Sequence, residues 1–299
     1  MKMKRIVSSA LAALSIMACV GTVTACESAH PEVEMTITFN GEEYTLAYQL
    51  YRKVAPKTVN HFLWLAGNGY YDGLCVHNYD STNFKMYTGA YEVATDTNDE
   101  DGLTYKPYYE EIKKFENFAD FPVSVWADTN KQTALYNLYG EFESNNFRVT
   151  NGAKKQSYGS LTMYYDAKDT TAKVYAPYSE GSDKAGEMAA RAYKYNSATS
   201  QFYISLSQTE TSTAGYCTFA TLDEDSVETL KSFQQAIADY IEAEYGEGDE
   251  ETSAASQFTT KQSVKVDEDD AYVGTKAKAM NFLVPNSPIV IKSVTVKKY

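Results

Sequence analysis

Apolar and polar positions alternate from Met35 to Phe39, with Thr36 and Thr38 between Met35, Ile37 and Phe39. A period of two marks a half-buried strand. Asn40-Gly41 suits a two-residue hairpin, and Tyr44 to Leu50 returns as a second strand. The period then changes. From Pro56, a favoured first helical residue, Val59, Phe62, Leu63 and Ala66 fall on one helical face, and Gly67 and Gly69 end it. Residues 73–79, 159–165, 201–206, 216–222 and 289–296 are further strand-like runs. A second helix is expected from Asp225, with Glu228 completing a capping box. Its buried stripe is Val227, Leu230, Phe233, Ile237, Tyr240 and Ile241. Residues 88–137 are polar, acidic and Tyr-rich without a clear period, and 244–256 form an acidic, Gly- and Ser-containing loop. Many strands with two helices predict an antiparallel barrel or sandwich closed by helices.

The chain's first residues follow a different logic. Lys2, Lys4 and Arg5 precede an apolar stretch over 6–20, broken only by Ser8, Ser9 and Ser15. It is shorter than the roughly 20 apolar residues a bilayer span needs, and this layout is that of a cleavable export signal, here over 1–25. The stretch ends in Val23-Thr24-Ala25-Cys26, which resembles the bacterial lipobox: an aliphatic residue, two small ones, then Cys. In that family the Cys thiol receives a diacylglyceryl group and becomes the new N-terminus. The resemblance implies lipid at Cys26, a polar tether over 26–33, and a domain over 34–299 that is held at the cell membrane and faces outside the cytoplasm.

Charge narrows the partners. The whole chain carries −13, and without the three basic residues of the leader the remainder carries −16. A nucleic-acid binder is normally basic, so the charge disfavours that class and no nucleic acid is expected as a partner. Cys19 leaves with the leader and Cys26 takes lipid, so only Cys75 and Cys217 remain to pair in an oxidising compartment or to sit as two buried thiols. There is no Cys-x-x-Cys, and the three His are scattered at 30, 61 and 77, so no metal or other cofactor is expected. The 26 Tyr suit a binding surface as well as strands, which leaves a carbohydrate-binding role as a weak third possibility.

Three segments resemble the cyclophilin-type peptidyl-prolyl isomerases. Ala55-Pro56-Lys57-Thr58-Val59-Asn60-His61-Phe62, then Gly69-Tyr70-Tyr71-Asp72-Gly73 and Val76-His77, are similar to the family's APKTVENF, GFYDG and FHR. Gly140-Glu141-Phe142 with Asn145, then Gly159-Ser160-Leu161-Thr162-Met163, resemble GEF…NG…RGxLSMA. Asn196 to Ile204 is close to NSASSQFFI, and 288–294 fits the last strand. The resemblance implies a closed, eight-stranded antiparallel barrel capped by two helices, mainly β, with long insertions near 88–137, 166–192 and 243–275.

It also implies a site. An X–Pro bond isomerises over about 18–20 kcal/mol because amide resonance must be broken. A catalyst therefore grips the proline ring, holds the flanking carbonyls and donates a hydrogen bond to the twisted nitrogen. In the family that donor is the Arg after the His of FHR, which here is Asn78. By the same resemblance Gln201 is kept, the pocket Phe is kept as Phe84, the Gln that orients the Arg becomes Tyr87, and the remaining pocket Phe and His become Tyr203 and Tyr216. The Met beside Phe84 becomes Lys85, and the family's Trp-Leu pair has no counterpart at Thr211-Ser212. Lys85 or Arg148 is a candidate replacement cation, although nothing in the sequence brings either near Asn78. His77 is one step out of phase with Asn78 and is expected inside the barrel, as are Cys75 and Cys217. Phe84 and Tyr203 also read as core aromatics, and Gln201 as a residue that satisfies backbone groups. The implied function is a peptidyl-prolyl isomerase acting on proline-containing segments of exported proteins. Loss of the Arg keeps open a non-catalytic module that binds a peptide or an envelope partner.

Overall fold

The computed structural model describes residues 28–94, 102–145, 152–164, 173–178, 182–192, 197–211, 214–246, 254–265 and 279–299. The leader over 1–25, Cys26 and Arg148 lie outside the described residues. Within them, eight strands form one antiparallel sheet: β1 (Glu32–Phe39), β2 (Glu42–Leu50), β3 (Asn78–Asp80), β4 (Lys85–Thr88), β5 (Leu161–Met163), β6 (Phe202–Ser205), β7 (Thr218–Leu222) and β8 (Ile289–Lys298). The expected hairpin forms as read. Asn40 and Gly41 both take positive φ, 48° and 84°, as a type I′ turn requires. Phe39 then faces Glu42 across the turn, and this register puts Val33, Met35, Ile37 and Phe39 of β1 with Leu46, Tyr48 and Leu50 of β2 into one core.

The strand order is β8-β1-β2-β7-β5-β6-β4-β3, and the sheet is an open half-barrel rather than the closed barrel expected. Its edge strands β8 and β3 do not pair with each other. The expected strand over 73–79 shortens to the three-residue β3: Gly73, with a φ of 82°, belongs to the preceding turn, and Leu74 and Cys75 make only isolated bridges, to Glu92 and Val290. A short seam spans the gap: the amides of Gly73 and Val76 donate to Ile291 and Ile289 at 2.8 Å, and the Ile291 amide donates to Leu74 at 2.7 Å.

Two helices pack against the core residues of the sheet. α1 (Pro56–Gly67) starts on Pro56 as expected and buries Val59, Phe62, Leu63 and Ala66. Phe62 lies 5.0 Å from Phe219 and 5.6 Å from Phe202, ring centre to ring centre. The Glu141 carboxylate caps α1, accepting from the amides of Thr58 at 2.8 Å and Lys57 at 3.2 Å. Burial raises the Glu141 carboxyl above its usual range, against Lys57 and the helix amides, which lower it. α2 (Val227–Tyr245) buries Leu230, Phe233 and Ile237, with Tyr240 and Ile241 half-buried. The expected capping box is absent. α2 is preceded by a 3₁₀ turn at Glu224–Ser226 in which Asp223 accepts from the Asp225 amide. Ser226 instead accepts the Ala47 amide of β2 at 2.8 Å, which ties the helix to the sheet.

The insertions add clusters of their own. In 88–137, the Tyr108 hydroxyl donates to the Tyr136 carbonyl at 2.6 Å and lies 3.2 Å from His61 Nε2. Phe115 and Phe121 pack edge-on to Trp64 of α1. The insertion near 166–192 supplies a hairpin, Lys173–Pro177 with Met188–Ala192, whose Tyr175 exchanges main-chain hydrogen bonds of 2.8 Å with Trp126. A second hairpin pairs Thr259–Lys265, within the expected insertion near 243–275, with Ala279–Pro285 beyond it. Ser28 to Pro31, in the segment read as tether, bond to the domain: the Ser28 amide donates to Tyr299 at 2.9 Å, and Arg52 Nη1 donates to the Ser28 carbonyl at 2.6 Å. Among the described residues no helix is long and apolar enough to cross a membrane.

Candidate functional site

Residues far apart in sequence meet in one cross-strand row. Asn78 of β3 faces Tyr87 of β4, Tyr87 faces Tyr203 of β6, Tyr203 faces Thr162 of β5, and Thr162 faces Thr218 of β7. Their strand neighbours Met86, Leu161, Met163, Phe202 and Ile204 are all core residues. The row therefore lies on the other face of the sheet, by the alternation of side chains along a strand. The rings of Tyr87 and Tyr203 are 5.2 Å apart and those of Tyr87 and Tyr164 are 5.6 Å apart. The Tyr203 hydroxyl donates to Gln156 Oε1 at 2.9 Å, and the hydroxyls of Thr162 and Thr218 bond at 3.0 Å. Tyr203 is only 2% exposed. Burial raises the phenols of Tyr87 and Tyr203 well above the usual range, so both stay neutral donors at any physiological pH.

The turn between β3 and β4 supplies the rim. The Asp80 carboxylate accepts from the Asn83 amide at 2.9 Å and from Asn83 Nδ2 at 2.7 Å, and the Leu206 amide donates to the Phe84 carbonyl at 2.7 Å. Between those two anchors Phe84 takes a φ of 54° and is 54% exposed. A bulky residue in that region is strained, and such strain persists only where the surroundings impose it. Phe84 is thus a presented side chain, not a core aromatic. Lys85 follows it on β4, with its ammonium 4.6 Å from the centre of the Tyr203 ring and 5.2 Å from that of Tyr216. Tyr216 is 43% exposed. Partial burial lowers the Lys85 ammonium below its ordinary range, against the charge of Asp80, which raises it.

Of the residues expected at the site, Tyr87 and Tyr203 meet directly, and Tyr216 reaches them through Lys85. Gln201 stands two positions before Tyr203, half-buried, and its main-chain carbonyl accepts the Tyr164 amide at 3.0 Å. Asn78 heads the row in register, but its Oδ1 accepts the Leu283 amide of the insertion hairpin at 2.9 Å. It serves as a clasp between β3 and that hairpin. Gln156 and Tyr164 were not anticipated. Gln156 sits in a polar segment with no periodic signal, and Tyr164 read only as part of a strand.

Two residues expected inside the barrel face the other way. His77 is buried between Tyr91 and Phe282, with ring centres 4.8 and 4.9 Å away. Cys75 joins Tyr91, Leu103, Phe282 and Val284 in a second apolar cluster beneath the insertions. Ala90, Tyr91 and Leu103 with the hairpin strand Ala279–Pro285 cover the wall here, so a buried position need not point into the main core. Cys217 does lie in the main core, with Sγ 3.6 Å from Thr58 Oγ1. The two cysteines form no disulfide with each other. Burial pushes His77 down to about 3 and the Cys75 thiol up to about 12, so neither ionises at neutral pH. Among the described residues no three His, Cys, Asp or Glu side chains are grouped as metal ligands would be. A separate cleft of about 350 Å³ is lined by Arg52, Trp64, Asn68, Asp120 and Tyr299 among others, and shares no residue with the row.

The family model described as cyclophilin type peptidyl-prolyl cis-trans isomerase/CLD matches residues 34–252. No curated protein matches the sequence. Among solved structures, the chain is similar to a cyclophilin type peptidyl-prolyl cis-trans isomerase of Cryptosporidium parvum, at 15% identity and a TM-score of 0.43, over 90% of this chain and 99% of that one. A second structure of that protein, in the presence of the dipeptide Ala-Pro, gives 14% identity and a TM-score of 0.42 over the same shares.

Proposed function

The chain belongs to the cyclophilin-type peptidyl-prolyl cis-trans isomerase family, and on that premise we propose that it engages proline-containing segments of exported proteins along the Asn78–Tyr87–Tyr203 row and isomerises them slowly. The observation that carries this reading is the register. Three strands from two distant stretches line up Asn78, Tyr87 and Tyr203 on one face, with exposed Phe84 and Tyr216 at the rim. The exposed rings of Phe84 and Tyr216 suit a proline ring and the neutral Tyr87 phenol can hold a flanking carbonyl, while Tyr203, buried and bonded to Gln156, backs them.

The weak point is the donor. Asn78 is short and uncharged, and its carbonyl oxygen is engaged by Leu283. Loss of one transition-state donor typically costs about 10²–10³ in rate. A protease-coupled assay on a proline tetrapeptide measures the remainder. A rate above the thermal background, raised by Asn78→Arg, supports the reading. No rate at high enzyme, with no shift of the Tyr87 and Tyr203 ring signals on adding the peptide, removes it. A second reading, a module that binds without catalysis, is favoured by the Asn78–Leu283 bond. Binding of the peptide with no rate in either protein selects it.

Export and lipid anchoring at Cys26 complete the proposal, on the strength of the leader over 1–25 and the Val23-Thr24-Ala25-Cys26 run. Labelled fatty acid should enter the chain in cells and be lost in Cys26→Ala. Equal labelling of the two refutes it.

A further inference from the structure

Lys85 is the feature of the row that an ordinary proline pocket does not need. Its ammonium carries three donors. No residue described accepts any of them: its contacts are the ring faces of Tyr203 and Tyr216. The nearest acid by register is Asp80, its cross-strand partner, but that carboxylate is turned into the Asn83 turn. Lys131, Lys154 and Lys184 also lie over aromatic rings, one each rather than two, whereas six surface lysines are paired with acids. Lys114, Lys155, Lys231, Lys292, Lys297 and Lys298 each reach a carboxylate within 3.0 Å. A half-buried cation on two aromatic faces is held in place, partly desolvated and short of an anion, which is the condition under which an incoming carboxylate gains most.

The spacing says where that carboxylate would come from. Lys85 Nζ lies 5.2 Å from the centre of the Tyr216 ring, which is 43% exposed and offers the face against which a proline would rest, while buried Tyr203 backs the ammonium from below. An extended chain advances about 3.3 Å per residue. The residue next to such a proline is therefore the one in reach of Lys85. We infer that Lys85 makes this groove select segments with Asp or Glu beside the proline. The inference rests on the reading that the row holds proline, and the test separates the two. Because the chain as a whole is strongly acidic, acidic peptides suffer a general repulsion. The measure is therefore what Lys85 adds, not the raw affinity.

The experiment uses the full chain in detergent, with fluorescently labelled hexapeptides that differ at the central pair: Glu-Pro, Gln-Pro and Glu-Ala. Anisotropy titrations are run on the wild type, Lys85→Met and Lys85→Arg, each checked for an unchanged melting temperature. Expected is tighter binding of Glu-Pro than of Gln-Pro by roughly ten-fold or more, as one charge-assisted hydrogen bond gives. The preference should vanish in Lys85→Met, persist in Lys85→Arg and shrink at high salt. Equal binding of Glu-Pro and Gln-Pro, or a preference that survives Lys85→Met, overturns the inference and leaves the proline reading standing. Glu-Ala binding as well as Glu-Pro, with the loss in Lys85→Met intact, keeps the cation site and overturns the proline reading. No binding of any of the three overturns both.

Discussion

The Asn78 clasp gives a sharp prediction. Asn78→Ala removes the acceptor of the Leu283 amide, a bond that joins positions 205 residues apart and fixes the insertion hairpin to β3. An orphaned buried amide costs about 1–3 kcal/mol. Leu283 is half-buried, so water recovers part of the loss and the low end, about 1 kcal/mol, applies. For a domain of this size that is a fall of about 2–4 °C in melting temperature. Calorimetry reads the fall, and hydrogen exchange at the Leu283 amide reads its cause, since that amide should lose protection while those of β1 keep theirs. Asn78→Asp keeps an acceptor in place and should hold both values near wild type. Asn78→Arg loses the acceptor, so any catalytic gain comes with the same fall in stability. If Asn78→Ala melts where the wild type does and Leu283 exchanges at an unchanged rate, the clasp does not bear on the hairpin and the reasoning fails.

Three further outcomes follow from the described geometry. Phe84→Gly relieves the positive φ and should raise stability by about 1 kcal/mol, whereas Phe84→Ala, still strained, should not; a chemical-denaturation midpoint that moves equally in both refutes the strain. His61 and His77 are both pushed from 6.5 down to about 3 by burial, so they stay neutral when folded and charge when unfolded. The unfolded chain then binds more protons, and the stability present above about 6.5 should be lost as pH falls toward 3. A urea midpoint that holds from pH 7 to pH 4.5 contradicts this. Glu141→Gln leaves one acceptor oxygen where the α1 amides of Lys57 and Thr58 now have two, and should cost about 1–3 kcal/mol in thermal or urea unfolding; an unchanged midpoint denies the cap its role.

Where a local pattern decides structure, the sequence was readable. The Asn40-Gly41 hairpin and the Pro56 helix rest on turn chemistry and a single period, and both form with the faces expected. The misreadings share a cause in partners that are distant along the chain. Asp225 and Glu228 look like a capping box, but Ser226 is drawn to the Ala47 amide of β2. Cys75 and His77 were placed inside by parity, whereas the 88–137 insertion and the hairpin strand Ala279–Pro285 create a second interior outside the sheet wall. Several of the tyrosines that suggested a binding surface are structural: Tyr48, Tyr70, Tyr71, Tyr91 and Tyr108 are fully buried. That Tyr87 and Tyr203 face each other across β4 and β6 was legible through the family's motifs. What Lys85 touches was not, because Tyr216 lies far along the chain and its approach depends on the fold.

The placement of β1 has a mechanical consequence. It is the first strand of the domain, yet it runs inside the sheet, with β8 along one side and β2 along the other over nearly its whole length. Any pull delivered through the N-terminal segment loads both ladders lengthwise, so many hydrogen bonds share the strain and must yield together. Before that load reaches them, the Ser28 contacts with Tyr299 and Arg52 would give way, a short fuse ahead of the sheared strand. A fold strung this way resists tension best along the one direction in which a fastening at its amino end would apply it.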